Sequence, residues 1–201
     1  MFITLRLMLL LTISIFLSLS TNTSQMVYPK GNNNNNVKEA CSVTRYKNLC
    51  IHTLAQFSNV GRTPSQWARA GVSVTISEVK NVQAYLTKLK RSANMKGRNK
   101  VALSDCIETF GDALDELHKS LDVLRRLNKK TFSTQMGDLN TWISSALTDE
   151  DTCLDGFEGK NERQIKLLQN KVQNVSYITS NALALVNKLA STGFESIIID
   201  P

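Results

Sequence analysis

The sequence contains only two histidines, His52 and His118, in 201 residues. They are far apart along the chain, and neither lies in a recognisable catalytic motif. The sequence also has no glycine-rich phosphate loop, no nucleophile elbow and no zinc-ligand spacing. These absences argue against an enzyme and against a resident metal or cofactor.

Proline is scarce as well, because only Pro64 and Pro201 follow Val37. Sustained alternation of apolar and polar residues is missing, which argues against β-strands. Apolar residues recur instead at helical spacing. The segment from Thr63 to Gln66 combines an N-cap, a proline at the first helical position and a capping-box glutamine, and it predicts a helix start.

Four apolar stripes follow that start, within residues 72–89, 106–124, 139–157 and 168–189. Breaks around Gly97 and at Asn128–Ser133 separate the first three. Short connections place successive helices antiparallel. The sequence therefore predicts an all-α fold, an up-down-up-down four-helix bundle over residues 63–192.

The N-terminus has the pattern of a secretory signal peptide, which we assign to residues 1–24. Arg6 precedes an apolar run from Leu7 to Leu17, and the small residues Ser18 and Ser20 follow. A membrane anchor is disfavoured because this run is short for a bilayer and no stop-transfer cations follow it. Residues 25–36, rich in asparagine, predict a disordered leader, with order beginning near Val37.

Secretion makes disulfides the expected state of the four cysteines. Spacing alone leaves three possible pairings. In an antiparallel hairpin the start of the second bundle helix faces the end of the third, which favours Cys106–Cys153. Cys41 and Cys50 then remain as a pair, and a straight helix would hold them about 13 Å apart. We therefore expect residues 37–62 to fold back as a helical hairpin arm.

The formal net charge of +7 falls to +6 once Arg6 is removed with the signal peptide. A secreted cation is suited to acidic polysaccharide or acidic protein rather than nucleic acid. Two basic clusters stand out, although solvated helix ends and loops are the favoured explanation for them. They are Lys88, Lys90, Arg91, Lys96, Arg98 and Lys100, and Arg125, Arg126, Lys129 and Lys130.

Three further features have a structural and a functional interpretation. The acidic run Asp149–Asp151 with Asp155 lacks the ligand pattern of a calcium loop, so a solvated helix face is favoured. Trp142 is favoured as a core anchor over a binding hot spot. Asn174 begins a glycosylation sequon and is expected to face outward.

The cysteine spacing and one long segment together resemble the plant invertase and pectin methylesterase inhibitor family, from Val37 to Ala190. The resemblance rests on three features: C-x-x-T-x-Y-x-x-x-C from Cys41 to Cys50, Cys106 before DALDEL, and DLNTWISSALTDEDTCLDGF from Asp138 to Phe157. The family pairs its first cysteine with the second and its third with the fourth, in agreement with the pairing above. The resemblance implies an inhibitor domain over residues 37–195, followed by a tail at residues 196–201.

Within this family the resemblance favours the methylesterase branch. Invertase inhibitors usually carry Pro-Lys-Phe before the helix of the fourth cysteine, and here NKKTFSTQ has Lys130 and Phe132 but no proline. Gln135 and Met136 depart from members with an acidic residue and a tyrosine nearby, which leaves open the choice of partner within the enzyme class. An invertase inhibitor and a cationic pectin-binding wall protein are the alternatives.

The resemblance implies a secreted, monomeric protein of the apoplast or cell wall that forms a stoichiometric complex with pectin methylesterase. Such inhibitors cover the pectin-binding cleft of the enzyme with their second and third bundle helices. Carried onto matching positions, the enzyme-contacting candidates are Glu108, Asp112, Thr152 and Asp155. The carboxylates of Glu108, Asp112 and Asp155 would occupy polar subsites made for the carboxylates of pectin, whereas plain surface polarity is the competing interpretation for all four residues.

Overall fold

Helices account for the secondary structure in the computed structural model, which describes residues 33–58, 63–92, 95–160 and 162–198. The α-helices are α1 (Asn33–Ala40), α2 (Lys47–Leu54), α3 (Pro64–Ser92), α4 (Gly97–Arg125), α5 (Phe132–Asp155), α6 (Arg163–Thr192) and α7 (Glu195–Ile198). Short 3-10 segments cover Cys41–Val43, Ala55–Phe57 and Lys129–Thr131. The described ranges contain no strand, so the all-α prediction is confirmed.

Helices α3 to α6 form the predicted bundle. Each packs against its neighbours in the order α3, α4, α5, α6, and α6 closes the ring against α3. The apolar stripes point inward and form one core, whose largest fully buried side chains include Phe110, Phe157, Leu86, Leu117, Leu139, Ile143, Leu168 and Leu189. Because connected helices are neighbours, the topology is up-down-up-down, as predicted.

The start of α3 confirms the capping box. The Thr63 backbone N–H donates to Gln66 Oε1 at 3.2 Å, and the Gln66 backbone N–H donates to Thr63 Oγ1 at 3.4 Å. These reciprocal bonds satisfy two donors near the helix start. The sequence pattern therefore located this boundary to the residue.

The N-terminal arm is also present, and the Cys41–Cys50 disulfide closes it with the two Cα atoms 5.7 Å apart. Its apolar residues form a second small core with Trp67, Ala70 and Leu185 of the bundle; the arm contributes Val37, Cys41, Cys50 and Leu54. Asn181 of α6 fastens the bend by accepting from the Tyr46 N–H at 3.1 Å and donating to the Tyr46 carbonyl at 3.0 Å.

Three predicted boundaries differ from the structure. Helix α1 begins at Asn33 rather than near Val37, so residues 33–36 of the predicted disordered leader are helical, and the same helix buries Val37. Helix α5 begins at Phe132, inside the predicted connection. The expected tail is helical at Glu195–Ile198, where half-buried Ile197 packs on the main core. The signal peptide and residues 25–32 of the leader lie outside the described residues.

Candidate functional site

Helices α4 and α5 form an antiparallel hairpin, and the end of the hairpin that contains Cys106 and Cys153 is closely packed. The Cys106–Cys153 disulfide joins them, with the Cα atoms 4.5 Å apart and both cysteines buried. Just beyond α5, a Cβ on Gly156 would lie 3.3 Å from Cβ of Ala102, so the absence of a side chain lets the two segments approach. The Cys106–Cys153 disulfide confirms the cysteine pairing that was predicted from the antiparallel arrangement of the two helices.

All four enzyme-contacting candidates are exposed on this hairpin. Glu108 and Asp112 are four residues apart on α4, and Thr152 and Asp155 are three apart on α5, so each pair shares one side of its helix. The two α5 residues flank Cys153, which the disulfide fixes against α4. We call the exposed surface that carries these four residues the hairpin face.

The four candidates differ in their surroundings. The Thr152 hydroxyl donates to the Thr148 carbonyl at 2.8 Å, which leaves its oxygen free to accept. The charge of Asp155 helps to raise the pKa of Asp151, after the burial of that carboxyl. Glu108 makes no hydrogen bond or ion pair with any other described residue. The structure thus exposes all four but links only Asp112 electrostatically across the two helices.

That link is an acidic cluster that sequence reasoning missed, consisting of Asp112 and Glu116 on α4 and Asp149 on α5. Burial, followed by the negative charges of Glu116 and then Asp112, raises the pKa of the Asp149 carboxyl to about 6. Oε2 of half-buried Glu116 is shielded from solvent without a hydrogen-bond partner among the described residues. Like charges therefore meet along this side of the hairpin.

Glu150 corrects the expectation that the acidic run lies on a solvated face. It is 0% exposed and lies in the core between α5 and α6. Its Oε1 lies 2.7 Å from the Thr179 hydroxyl, and its Oε2 has no partner among the described residues. Burial raises the pKa of Glu150 to about 8, against the opposing effect of the neighbouring hydroxyls of Thr179 and Ser176.

The geometry of Thr179 fits a protonated Glu150. The Thr179 hydroxyl lies within hydrogen-bonding distance of the Val175 carbonyl, at 3.1 Å, as well as of Glu150. One hydroxyl hydrogen cannot serve both acceptors. A protonated Glu150 donates to Thr179, which then donates to Val175, and this chain leaves no buried charge.

The remaining predicted positions are on the surface or partly covered. His52, His118 and Asn174 are exposed, and for Asn174 this agrees with the expectation that it faces outward. Trp142 is half-buried rather than a core anchor, because the neighbouring Ile143 fills the core position on α5.

The described residues lack the features of two other classes of site. In those ranges no helix has the length and apolar composition needed to cross a bilayer. Within the same ranges, no group of three or more histidine, cysteine or acidic side chains is arranged to hold a metal ion. The α4–α5 hairpin presents an exposed polar surface that the disulfide holds in place, and such a surface is suited to binding another molecule.

A family model described as plant invertase/pectin methylesterase inhibitor matches residues 35–185. The chain belongs to this family. The match confirms the resemblance carried by the cysteines and by the Asp138–Phe157 segment, and it places the protein among inhibitors rather than enzymes.

Named relatives agree with this assignment. The chain is 50% identical over 160 residues to pectinesterase inhibitor 6 of Arabidopsis thaliana, covering 78% of this chain and 76% of the relative. It is 37% identical over 163 residues to pectinesterase inhibitor 3 of the same plant, covering 78% and 80%. It also matches 27% of the longer Arabidopsis protein pectinesterase/pectinesterase inhibitor 3, at 37% identity.

Solved structures support the fold. A crystal structure of a mutant form of a pectin methylesterase inhibitor from Arabidopsis superposes with a TM-score of 0.60 at 19% identity, covering 74% of this chain and 93% of the other. A second pectin methylesterase inhibitor from Arabidopsis thaliana gives a TM-score of 0.54 at 18% identity, covering 77% and 96%. At these identities the likeness concerns the helical architecture alone.

Proposed function

We propose that this protein inhibits a plant pectin methylesterase by forming a stoichiometric complex that covers the pectin-binding cleft. The 50% identity to a protein named pectinesterase inhibitor 6, over three quarters of that relative, is the observation that carries the proposal. The lack of Pro-Lys-Phe before α5 also favours this branch of the family over invertase inhibition.

The hairpin face is the proposed contact surface. Asp112 and Asp155 are exposed carboxylates on separate helices, and the Cys106–Cys153 bond fixes those helices relative to each other. A preformed surface loses little conformational freedom on binding, which favours affinity. Pectin carries carboxylates, so acidic side chains of the inhibitor fit polar subsites that normally receive them.

The test is a paired set of charge-neutral variants. Asp112→Asn with Asp155→Asn removes two negative charges from the hairpin face, and we expect inhibition to weaken about tenfold or more, or about 1.4 kcal/mol. Asp122→Asn with Asp138→Asn is the matched control, because it removes the same charge from exposed positions at the opposite end of α4 and α5. Titration of a fixed amount of methylesterase gives the inhibition constant of each protein.

Two outcomes contradict the proposal at different levels. Equal inhibition by both double variants and the wild type would remove Asp112 and Asp155 from the contact surface. Titration of the wild type against a methylesterase and an acid invertase in parallel tests the activity itself. Inhibition of invertase alone would identify the alternative member of the family.

We also infer that the protein is secreted, with residues 1–24 removed and the domain of residues 37–195 acting as a monomer in the apoplast. Two disulfides and the signal-like N-terminus are consistent with an oxidising export route. Exposed Asn174 is the glycosylation candidate. Mass spectrometry of the protein secreted by plant cells reads the new N-terminus and the glycan together.

The net charge of +6 that remains after removal of residues 1–24 favours a second partner, acidic pectin itself. A protein that bound pectin without inhibiting either enzyme would be the wall-retention alternative. The two activities are compatible in one molecule if they use different surfaces.

A further inference from the structure

An open groove runs along the outer side of the bundle between α3 and α4, with a cavity volume of about 530 Å³. Seven of its lining residues come from α3, and Ile107 comes from α4. Three of the seven are the cations Lys80, Lys88 and Arg91, and none of the lining residues is acidic. The groove is therefore a positively charged channel, separate from the four candidates of the hairpin face.

These three cations are unpaired. Lys80, Lys88 and Arg91 are exposed, and none forms an ion pair with another described residue. In the basic cluster at the opposite end of the bundle, three of the four cations are paired, and only Lys130 forms no ion pair with a described residue. Its Arg125 and Arg126 each lie 3.7 Å from Asp122, and its Lys129 lies 2.5 Å from Glu195. The structure thus distinguishes two clusters that look alike in the sequence.

The unpaired charges are spread along the groove. At 1.5 Å per helical residue, Lys80 and Lys88 are about 12 Å apart along α3, and Arg91 is about 4.5 Å further. Three more cations are exposed beyond the end of α3, namely Lys96 just before α4 and Arg98 and Lys100 in its first turn. An elongated row of cations suits an extended polyanion better than a single small anion.

The other lining groups suit a carbohydrate. Gln83 contributes a side-chain amide, and Thr87 and Ser92 contribute hydroxyl oxygens. The hydroxyls of Thr87 and Ser92 donate to the carbonyls of Gln83 and Lys88, each at 2.9 Å, so their oxygens remain available as acceptors for sugar hydroxyls.

We propose that this groove binds a linear polysaccharide of carboxylated sugars, namely de-esterified pectin. The choice of this polymer rests on the proposed function, because a pectin methylesterase converts methyl esters into carboxylates. The inhibitor is then retained where the enzyme has already acted, with the hairpin face free to meet the enzyme.

The test compares two triple variants with the same loss of charge. Lys80→Gln, Lys88→Gln and Arg91→Gln together remove the groove cations, whereas Arg125→Gln, Arg126→Gln and Lys130→Gln remove three cations from the opposite cluster. On immobilised de-esterified pectin at low ionic strength we expect the groove triple to bind at least ~10-fold more weakly and the control triple to bind like the wild type. Equal losses in both triples would overturn the inference, because net charge alone would then explain binding.

Polymer controls identify the ligand. Highly methyl-esterified pectin should bind at least ~10-fold more weakly than the de-esterified form, because it lacks the carboxylates that attract the cations. Equal binding to both forms would overturn the assignment. Equal binding to sulfated dextran and de-esterified pectin would show general polyanion affinity and would overturn the choice of a uronate polymer.

A steric variant tests the groove without changing charge. Gly111 of α4 faces the groove residue Gln83, whose Nε2 would lie 3.8 Å from a Cβ at this position. Gly111→Leu should therefore obstruct the channel and weaken binding to de-esterified pectin. Unchanged binding by both this variant and the groove triple would place the polymer elsewhere.

Inhibition of methylesterase by the same proteins, measured in solution, separates the two proposals. Polymer binding without any inhibition by the wild type would contradict the proposed function and leave the groove as a retention site. Loss of inhibition in the groove triple, with polymer binding intact, would make the groove an enzyme contact and overturn the inference.

Discussion

Replacing the buried carboxyl of Glu150 by an amide should change how the stability of this protein depends on pH. Burial raises the pKa of Glu150 from 4.5 to about 8 in the folded state. Between these values the folded protein holds a proton that the unfolded chain releases, so the free energy of unfolding falls as the pH rises. The contribution of Glu150 to the free energy of unfolding is fully present below pH 4.5. It decreases as the pH rises above that value and is lost once the pH has passed through 8.

The size of the effect follows from the shift. One pKa unit corresponds to about 1.4 kcal/mol, so the 2.5 units between pH 4.5 and pH 7 correspond to about 3 kcal/mol. Domains are stable by about 5–15 kcal/mol, which makes this a large share. Glu150→Gln stays neutral throughout and retains a donor for Thr179 Oγ1. We expect the variant to gain about 3 kcal/mol over the wild type between pH 4.5 and pH 7.

Urea unfolding followed by circular dichroism, with the disulfides intact, measures this difference at several pH values. The pKa of Asp149 is also raised, but its effect cancels when the variant is compared with the wild type. Glu158→Gln, at an exposed position, controls for the loss of one carboxylate. A stability difference between Glu150→Gln and the wild type that stays constant from pH 4.5 to pH 8 would refute the reasoning.

Two further substitutions test the elements that fix the fold. Cys106→Ala with Cys153→Ala opens a loop of 47 residues and should lower the free energy of unfolding by about 4 kcal/mol, measured in urea; a loss under about 1 kcal/mol would contradict it. Asn181→Ala removes two hydrogen bonds to the Tyr46 backbone, so it should lower the free energy of unfolding by about 2 kcal/mol and speed hydrogen exchange in the arm. Asn187→Ala, at an exposed position, is the control. Equal effects of the two substitutions would contradict the role of Asn181.

The bundle could be predicted from local signals because each of them has a direct physical cause. The Thr63–Gln66 sequence satisfies helix-start donors by itself, and the α3 boundary was therefore readable without tertiary information. The Cys106–Cys153 pairing followed from the antiparallel hairpin. The C-terminal helix was missed because its packing depends on contacts such as that of Phe194 with Phe132, their ring centroids 5.7 Å apart.

The helical spacing of the sequence indicated that Glu150 is buried, but its charged side chain favoured the opposite prediction. Ile143, Ala146, Glu150, Cys153 and Phe157 recur at intervals of three and four, which places Glu150 on the core stripe of α5. A glutamate between two aspartates is typical of a solvated helix face. Only its position in the helical repeat distinguishes Glu150 from its two acidic neighbours. The acidic cluster across the hairpin, by contrast, depends on how α4 and α5 are rotated about their axes.

The two acids of α5 with raised pKa values bear on how the hairpin face responds to pH. Glu150 contacts α6 through Thr179, and Asp149 meets the charges of α4. Burial disfavours the charged form of both, so protonation strengthens the packing of α5 against each neighbour as the pH falls. Because α5 carries Thr152 and Asp155, we expect the hairpin face to be held more firmly in acid. A pH-dependent inhibitor needs no titrating contact residue if the helix that presents those contacts is itself stabilised by protons.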